Sequence, residues 1–204
     1  MSTILYRIFY FYCRIHPMYS LETHIDNFIT SYVKAHGELQ VPLQTEYIVE
    51  APSECCVGEI LSRDGEFATT VWQPVKQDTP LSFSNVEDSL DIALDEQFKV
   101  LFSRYWSDNL NAKSERGKLQ ILQVWNEDDG KRLQSNLIAH ILMKRQLKQE
   151  ETLFFALTDE EDFTLSILNR TGEVVLEQVG CEPKEVIAPS LSEFLLTLTP
   201  WVIE

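Results

Sequence analysis

Apolar residues recur along this chain with two different periods, and the switches between them mark out its elements. From Ser20 to His36, Leu21, Ile25, Phe28, Ile29, Tyr32 and Val33 follow at three- and four-residue intervals, the spacing that lines one face of an α-helix. Ser20 is placed as its N-cap and Gly37 as its stop. A loop with Pro42 and Pro52 leads to two short runs, Cys55 to Leu61 and Phe67 to Gln73. They read as the strands of a hairpin joined across Ser62-Arg63-Asp64-Gly65-Glu66, whose Asp-Gly pair is a turn signal. Pro74 and Pro80 break the chain before a second predicted helix, from about Val86 to Tyr105, carried by Val86, Leu90, Ala93, Leu94, Phe98, Leu101, Phe102 and Tyr105.

After a polar linker, Asp108 to Gly117, the run Lys118 to Val124 has the character of a buried strand. Asn126 is placed to cap a third helix whose first turn is Glu127-Asp128-Asp129 and whose far end carries Lys144, Arg145 and Lys148. Acid at the N-terminus and base at the C-terminus is the arrangement the helix macrodipole favours. Thr152 to Leu157, Phe163 to Leu168 and Glu173 to Gln178 then predict a meander of strands, and Ser190 with Glu193 fits a capping box for a short last helix before Pro200. The predicted order is αββαβαβββα, an α/β (α+β) arrangement without internal repeats.

Length and composition narrow this to one domain, because 204 residues at 44% hydrophobic can bury one good core and do not require two. The formal charge of −15 repels phosphate backbones and anionic lipid and attracts basic surfaces, so nucleic acid is not an expected partner. Cys13, Cys55, Cys56 and Cys181 read as reduced thiols, since a vicinal pair is badly placed to bridge itself. His16, His24, His36 and His140 are scattered singly, and neither metal-ligand spacing, a phosphate-cradling glycine loop nor a nucleophile elbow occurs. No cofactor, metal or small-molecule substrate is therefore expected, and an enzyme is the weaker class. His140, mid-helix near the apolar line, reads as a packed residue and not as a general base. The stretch before Met18, aromatic and free of acidic residues, is broken by Arg7 and Arg14 and followed by Pro17 without a cleavage site. Residues 1–17 read as an appended or mis-annotated leader with Met18 the natural start, and 18–204 as the domain.

One charge pattern stands out on the second predicted helix. Glu87, Asp91 and Asp95 fall at four-residue spacing on one face, with Asp88 beside them and Glu96 flanking. Like charges so placed repel, so the stripe is either a solvated face or a surface kept for a basic partner.

The segment Gln123-Val124-Trp125-Asn126-Glu127-Asp128-Asp129, continuing through Arg132, Gln134, Asn136, Leu137, Ile138 and His140, resembles the longest signature of the Syd family of SecY-interacting proteins. Further matches are Trp72-Gln73-Pro74, Asn85 to Ala93, Thr152-Leu153-Phe154, Ser166 to Glu173 and Leu191 to Pro200. The resemblance implies a mixed, mostly antiparallel sheet flanked by helices, of the SUKH group. It also implies a protein peripheral to the cytoplasmic side of the cell inner membrane that docks on the basic cytoplasmic loops of the SecY translocation channel, sequestering or restraining uncomplexed channel. An acidic concave surface is part of that expectation. Partner contacts would then fall on Glu87, Asp88, Asp91 and Asp95 and around Trp72, Trp125, Glu127, Asp128 and Asp129. The alternative within the same group is an immunity protein that neutralises a toxin by covering it.

Overall fold

The computed structural model describes residues 20–58, 60 and 68–203. The leader read at 1–17 and the turn Ser62–Glu66 lie outside these residues. In chain order the elements are helix α1 (Leu21–Leu39), strands β1 (Gln44–Glu46), β2 (Thr69–Val71) and β3 (Val75–Lys76), helices α2 (Ser84–Leu90) and α3 (Glu96–Arg104), and strands β4 (Tyr105–Trp106), β5 (Leu110–Ser114) and β6 (Gly117–Ile121). Helix α4 (Glu127–Leu147) follows, then β7 (Thr152–Thr158), β8 (Phe163–Leu168), β9 (Val174–Gln178), β10 (Pro183–Ala188), α5 (Leu191–Leu196) and β11 (Thr199–Pro200).

The main sheet runs β10-β9-β8-β7-β6-β5-β11, and every neighbouring pair in it is antiparallel. β6 and β7 pair although α4 separates them in sequence, with Leu119 opposite Thr158 and Ile121 opposite Ala156. The predicted meander is there, and the sheet extends beyond it. β10 escaped the sequence reading because two register shifts against β9 disrupt its alternation. β5 escaped because Asn111, Lys113 and Ser114 dilute the two inward residues, Leu110 and Ala112. The supposed linker Asp108–Gly117 is thus mostly strand.

Two further expectations are corrected. β2 pairs with β1, Thr45 opposite Thr70, and among the described residues the Cys55 side supplies an isolated bridge between Cys56 and Trp72. Over residues 55–58 the expected partner strand gives way to the polar triplet Gln44–Glu46, invisible to a hydrophobic pattern, which pairs with β2; Glu59 and Leu61 lie outside the described residues. The helix expected from Val86 to Tyr105 is broken into α2 and α3 at a corner: Asp91 ends α2 in the left-handed conformation (φ 52°) and Asp95 caps α3, its side chain accepting from the Gln97 N–H. Two of the caps form as expected, at Asn126 and Ser190; Ser20 holds the N-cap position of α1 but its side chain makes no cap hydrogen bond, and the helix runs past Gly37, where a stop was expected, to end on Gln40 in the left-handed conformation (φ 57°).

The helices and the sheet share one core in which Phe98, Phe102, Ile121, Leu137, Ile141, Leu153, Phe155, Ile167 and Leu191 are fully enclosed. α1 is tied to this body by a polar clamp. Arg104 donates to both Asp26 oxygens at 2.7 and 2.6 Å, and Tyr105 Oη and Lys76 Nζ donate at 2.9 and 3.0 Å. These donors hold the Asp26 carboxyl far below the ordinary aspartate value, the Arg104 bond contributing most, and desolvation followed by the bond to Asp26 pushes Tyr105 up to about 12. A carboxylate with a lowered folded pKa stabilises the fold above its unfolded value near 3.8, and that contribution is lost as pH falls toward the folded value. Asp26→Asn should therefore cost about 1–3 kcal/mol at neutral pH, in line with hydrogen bonds to charged groups. It should also flatten the fall in stability below pH 3.8 measured by denaturant titration across pH. An unchanged acid limb would show that the clamp is not coupled to folding.

A second polar cluster lies wholly inside. Lys144 on α4 donates to Glu177 Oε2 on β9 at 2.6 Å and to the Cys181 carbonyl at 2.7 Å. Thr152 and Ser166 hydroxyls also donate to Glu177, at 2.8 and 2.5 Å to Oε1. The side chains of Lys144 and Glu177 are 0% and 2% exposed, so both charges are removed from water, and each Glu177 oxygen accepts at least one hydrogen bond.

Candidate acidic cleft at the start of helix α4

The segment Trp125-Asn126-Glu127-Asp128, where the chain leaves β6 and enters α4, forms one wall of a cleft of about 480 Å³; Pro52, Ser53, Glu54 and Trp106 form the rest. Local chemistry holds this wall still. Asn126 Oδ1 accepts from the Asp129 N–H at 2.9 Å, while Asp129 Oδ2 accepts from the Trp125 N–H at 2.9 Å, two orphan donors satisfied at the helix entry. The loop opposite is bonded to it: Trp125 Nε1 donates to the Ala51 carbonyl at 3.1 Å, Asn126 Nδ2 to Pro52 at 2.8 Å, and Ser53 Oγ to the Trp125 carbonyl at 2.5 Å. Trp72 sits behind, edge-on to Trp125 with ring centroids 6.3 Å apart. Trp106 is placed from β4 by a parallel bridge to Val124.

Three carboxylates ring the cleft, Glu54, Glu127 and Asp128, all exposed, and among the described residues no Lys, Arg or His lines it. Glu54 and Glu127 make no side-chain hydrogen bond or ion pair to another described residue; Asp128 pairs with Lys131 at 2.6 Å, which holds its carboxyl below the ordinary value. Indole walls beneath carboxylates of which two, Glu54 and Glu127, are unpaired among the described residues suit a cationic side chain, which gains from the ring quadrupole and from the charges together. They offer nothing to a phosphate.

Of the residues singled out from sequence, the structure therefore brings together Trp72, Trp125, Glu127 and Asp128. Asp129 turns inward, spent on the Trp125 N–H and on Arg132. The Glu87-Asp91-Asp95 stripe does not exist as a single helical face, because the corner between α2 and α3 divides it. Glu87 accepts from the buried Leu94 N–H at 2.9 Å and from Lys99 at 3.1 Å, and these bonds, led by the backbone one, lower its pKa. Asp95 is a cap whose N–H is bonded by Asn169 Oδ1 at 2.9 Å. Gly172, with φ 77°, lets the β8–β9 turn approach closely enough for its carbonyl to accept from Gln97 at 3.0 Å. Asp88, Asp91 and Glu96 remain exposed, Glu96 paired with Lys99 at 2.6 Å. Glu87→Lys should therefore lose about 1–3 kcal/mol, the cost of an unpaired buried donor, and gain nothing from relieved repulsion. Chemical denaturation reads this directly, and a variant as stable as the parent would restore the solvated-stripe reading.

Glu54 and Trp106 were not found by sequence reasoning; they join the cleft only because β1–β2 and β4 carry them to Trp125. His140 takes the packed role expected of it. Its Nε2 lies 2.9 Å from Thr152 Oγ1, its ring meets Phe154 edge-on, and burial lowers its pKa despite Glu177 nearby. Since the Thr152 hydrogen goes to Glu177, His140 Nε2 is the donor in that contact.

Among the described residues no helix is long and apolar enough to cross a membrane. The family model described as Syd protein (SUKH-2) matches residues 22–200 of the chain. The protein named Protein Syd of Alteromonas mediterranea is 47% identical over 183 residues, covering 89% of this chain and 97% of that protein. Those of Pseudoalteromonas atlantica and Colwellia psychrerythraea are 44% and 42% identical, over 89% and 88% of this chain and 94% and 92% of theirs.

Proposed function

Because the chain belongs to the Syd (SUKH-2) family, we propose that it is a binding protein for the SecY translocation channel, held at the cytoplasmic side of the inner membrane by the channel's basic loops. The observation that carries this reading is the cleft at the start of α4, where two indoles underlie Glu54, Glu127 and Asp128 and, among the described residues, no cation lines it. Trp125, Glu54, Glu127 and Asp128 make the contact, and Trp72 backs them. Asp88 and Asp91 add to the long-range field of a chain with formal charge −15, which steers a basic partner at low salt. No step of bond making is asked of the protein; occupancy of the channel's loops is its action.

The experiment is co-purification of tagged protein with SecY from detergent-solubilised inner membranes, followed by binding at low and high salt. The neutral isosteres Glu54→Gln, Glu127→Gln and Asp128→Asn combined should weaken binding by about 1–3 kcal/mol, the range for losing a few interface side chains. The parent's affinity should also fall with salt more steeply than the variant's, since exposed charges are screened over roughly 8–10 Å. Equal affinity of parent and variant at both salts would place the contact elsewhere.

A further inference from the structure

The loop that walls the cleft carries more than charge. Between Ala35 and Ser62 the chain holds no lysine or arginine, and its carboxylates include Glu46, Glu50 and Glu54. Within the same stretch Ile48, Val49 and Val57 stand 50%, 70% and 54% exposed. Scattered surface aliphatics are ordinary. These three are set apart by how the loop is held.

Ala51, Pro52 and Ser53 are bonded to Trp125 and Asn126 as described, the Cys55 N–H is bonded by Ser53 Oγ at 3.1 Å, and the Gln73 N–H by the Cys55 carbonyl at 2.9 Å. Val57 and Gly58 donate to the Val71 carbonyl at 3.1 and 3.3 Å. The aliphatics on either side of Pro52–Glu54 are thus fixed relative to the cleft. Chain geometry limits their distance: Val49 precedes Pro52 and Val57 follows Glu54 by three peptide links, so each lies within about 11 Å of a cleft residue, Cα to Cα. An extended peptide advances about 3.3 Å per residue, so a side chain two to four positions from one seated in the cleft reaches that far.

We propose that loop 47–58 and the cleft form one composite site for a segment that is cationic and apolar together, with a Lys or Arg seated over Trp125 and a Leu, Ile or Val two to four residues away against Ile48, Val49 or Val57. This deepens the SecY-docking reading and rests on it for the identity of the partner. Charge complementarity selects the occupant. An anionic lipid surface would meet the same aliphatics but is repelled by Glu46, Glu50, Glu54, Glu127 and Asp128, and a purely basic strand leaves the aliphatics in water. The two halves of the site obey different physics, since carboxylate contacts weaken with salt and aliphatic contacts do not.

The test uses the full chain with two synthetic twelve-residue peptides of equal charge, one repeating Lys-Ser-Leu-Ser, which puts lysine and leucine on one face of an extended strand, and one repeating Lys-Ser-Ser-Ser, read by fluorescence anisotropy at low and high salt. Solubilised SecY is run beside them. The leucine peptide should bind at least about tenfold more tightly than the serine peptide, and part of that preference should survive high salt. Ile48→Ser with Val49→Ser, and separately Val57→Ser, should reduce binding of the leucine peptide severalfold at either salt and leave the serine peptide unaffected; circular dichroism confirms that these exposed positions leave the fold intact. Equal affinity for the two peptides overturns the composite site, as does indifference of the leucine peptide to both loop variants. If SecY binds and the loop variants do not alter it, this inference fails while the docking reading stands. If the leucine peptide shows the loop dependence and SecY does not bind, the composite site holds and the named partner is wrong.

Discussion

Lys144→Met is expected to destabilise the fold by about 3–5 kcal/mol, the cost of removing one partner from a buried ion pair and leaving the other charge uncompensated. Glu177 would keep the hydroxyls of Thr152 and Ser166, but its carboxylate would face neither water nor a cation. The Cys181 carbonyl would also lose its donor, loosening the β9–β10 turn. The cause is distinguished from simple loss of packing by a second substitution. Lys144→Met combined with Glu177→Gln removes the orphan charge while an amide oxygen still accepts from Thr152 and Ser166, so the double variant should recover at least about 1 kcal/mol of the loss. Urea unfolding midpoints at constant slope give both numbers. If Lys144→Met costs less than about 1 kcal/mol, the pair is structurally idle.

The other large effect is expected at Phe98. Its ring is wholly buried, 5.5 Å from Phe83 in an edge-on contact and 4.8 Å from Phe102, so it joins the residue before α2 to the middle of α3 across the corner between them. Phe98→Ala should cost about 3–5 kcal/mol, from lost transfer energy and from a cavity its enclosed neighbours cannot close. For a chain of this size that lowers Tm by about 2–4 °C for each kcal/mol. Phe98→Leu keeps most of the volume and should cost about 1.5 kcal/mol or less. A calorimetric scan that separates the two variants by only a degree or two would mean that the corner, not the ring, supplies the rigidity.

Neither site of large effect could be located from sequence alone, although both residues could be suspected. Phe98 lies on an apolar line that any helical reading finds, and its burial follows. Its partner Phe83 does not, because the line was drawn through a helix that the structure breaks. Leu94 fits the helical spacing, yet its backbone N–H is bonded by a carboxylate at 2.9 Å outside any helix. Nothing local distinguishes the two fates: Asp91 and Asp95 serve as readily on a helix face as at its ends, and the choice is made by where Asn169, Gln97 and Lys99 arrive. Lys144 reads in sequence as a favourable charge near a helix C-terminus. Only strand β9, brought alongside by antiparallel pairing through β7 and β8, makes it the cation of a buried cluster.

Local physics was enough for much of this protein. Side-chain periodicity and capping chemistry act over a few residues, so α1, α4, α5, the β7–β8–β9 meander and the caps at Asn126 and Ser190 are legible in the chain itself, as are its acidity and the Trp125-to-His140 signature that points to its family. What spans the molecule was not. The short edge strands β1 and β11 are defined by hydrogen bonds to partners distant in sequence, while β5 and β10, each paired with a neighbour in the chain, carry too little apolar pattern of their own to be seen. The acidic cleft likewise exists only because the loop at 51–54, β4 and the start of α4 converge, which turns two rim carboxylates visible in sequence into a walled site with a third, Glu54. Charge and periodicity are properties of the chain; which charges end up facing water, a helix end or one another is settled by packing, where long-range contacts outweigh local preference.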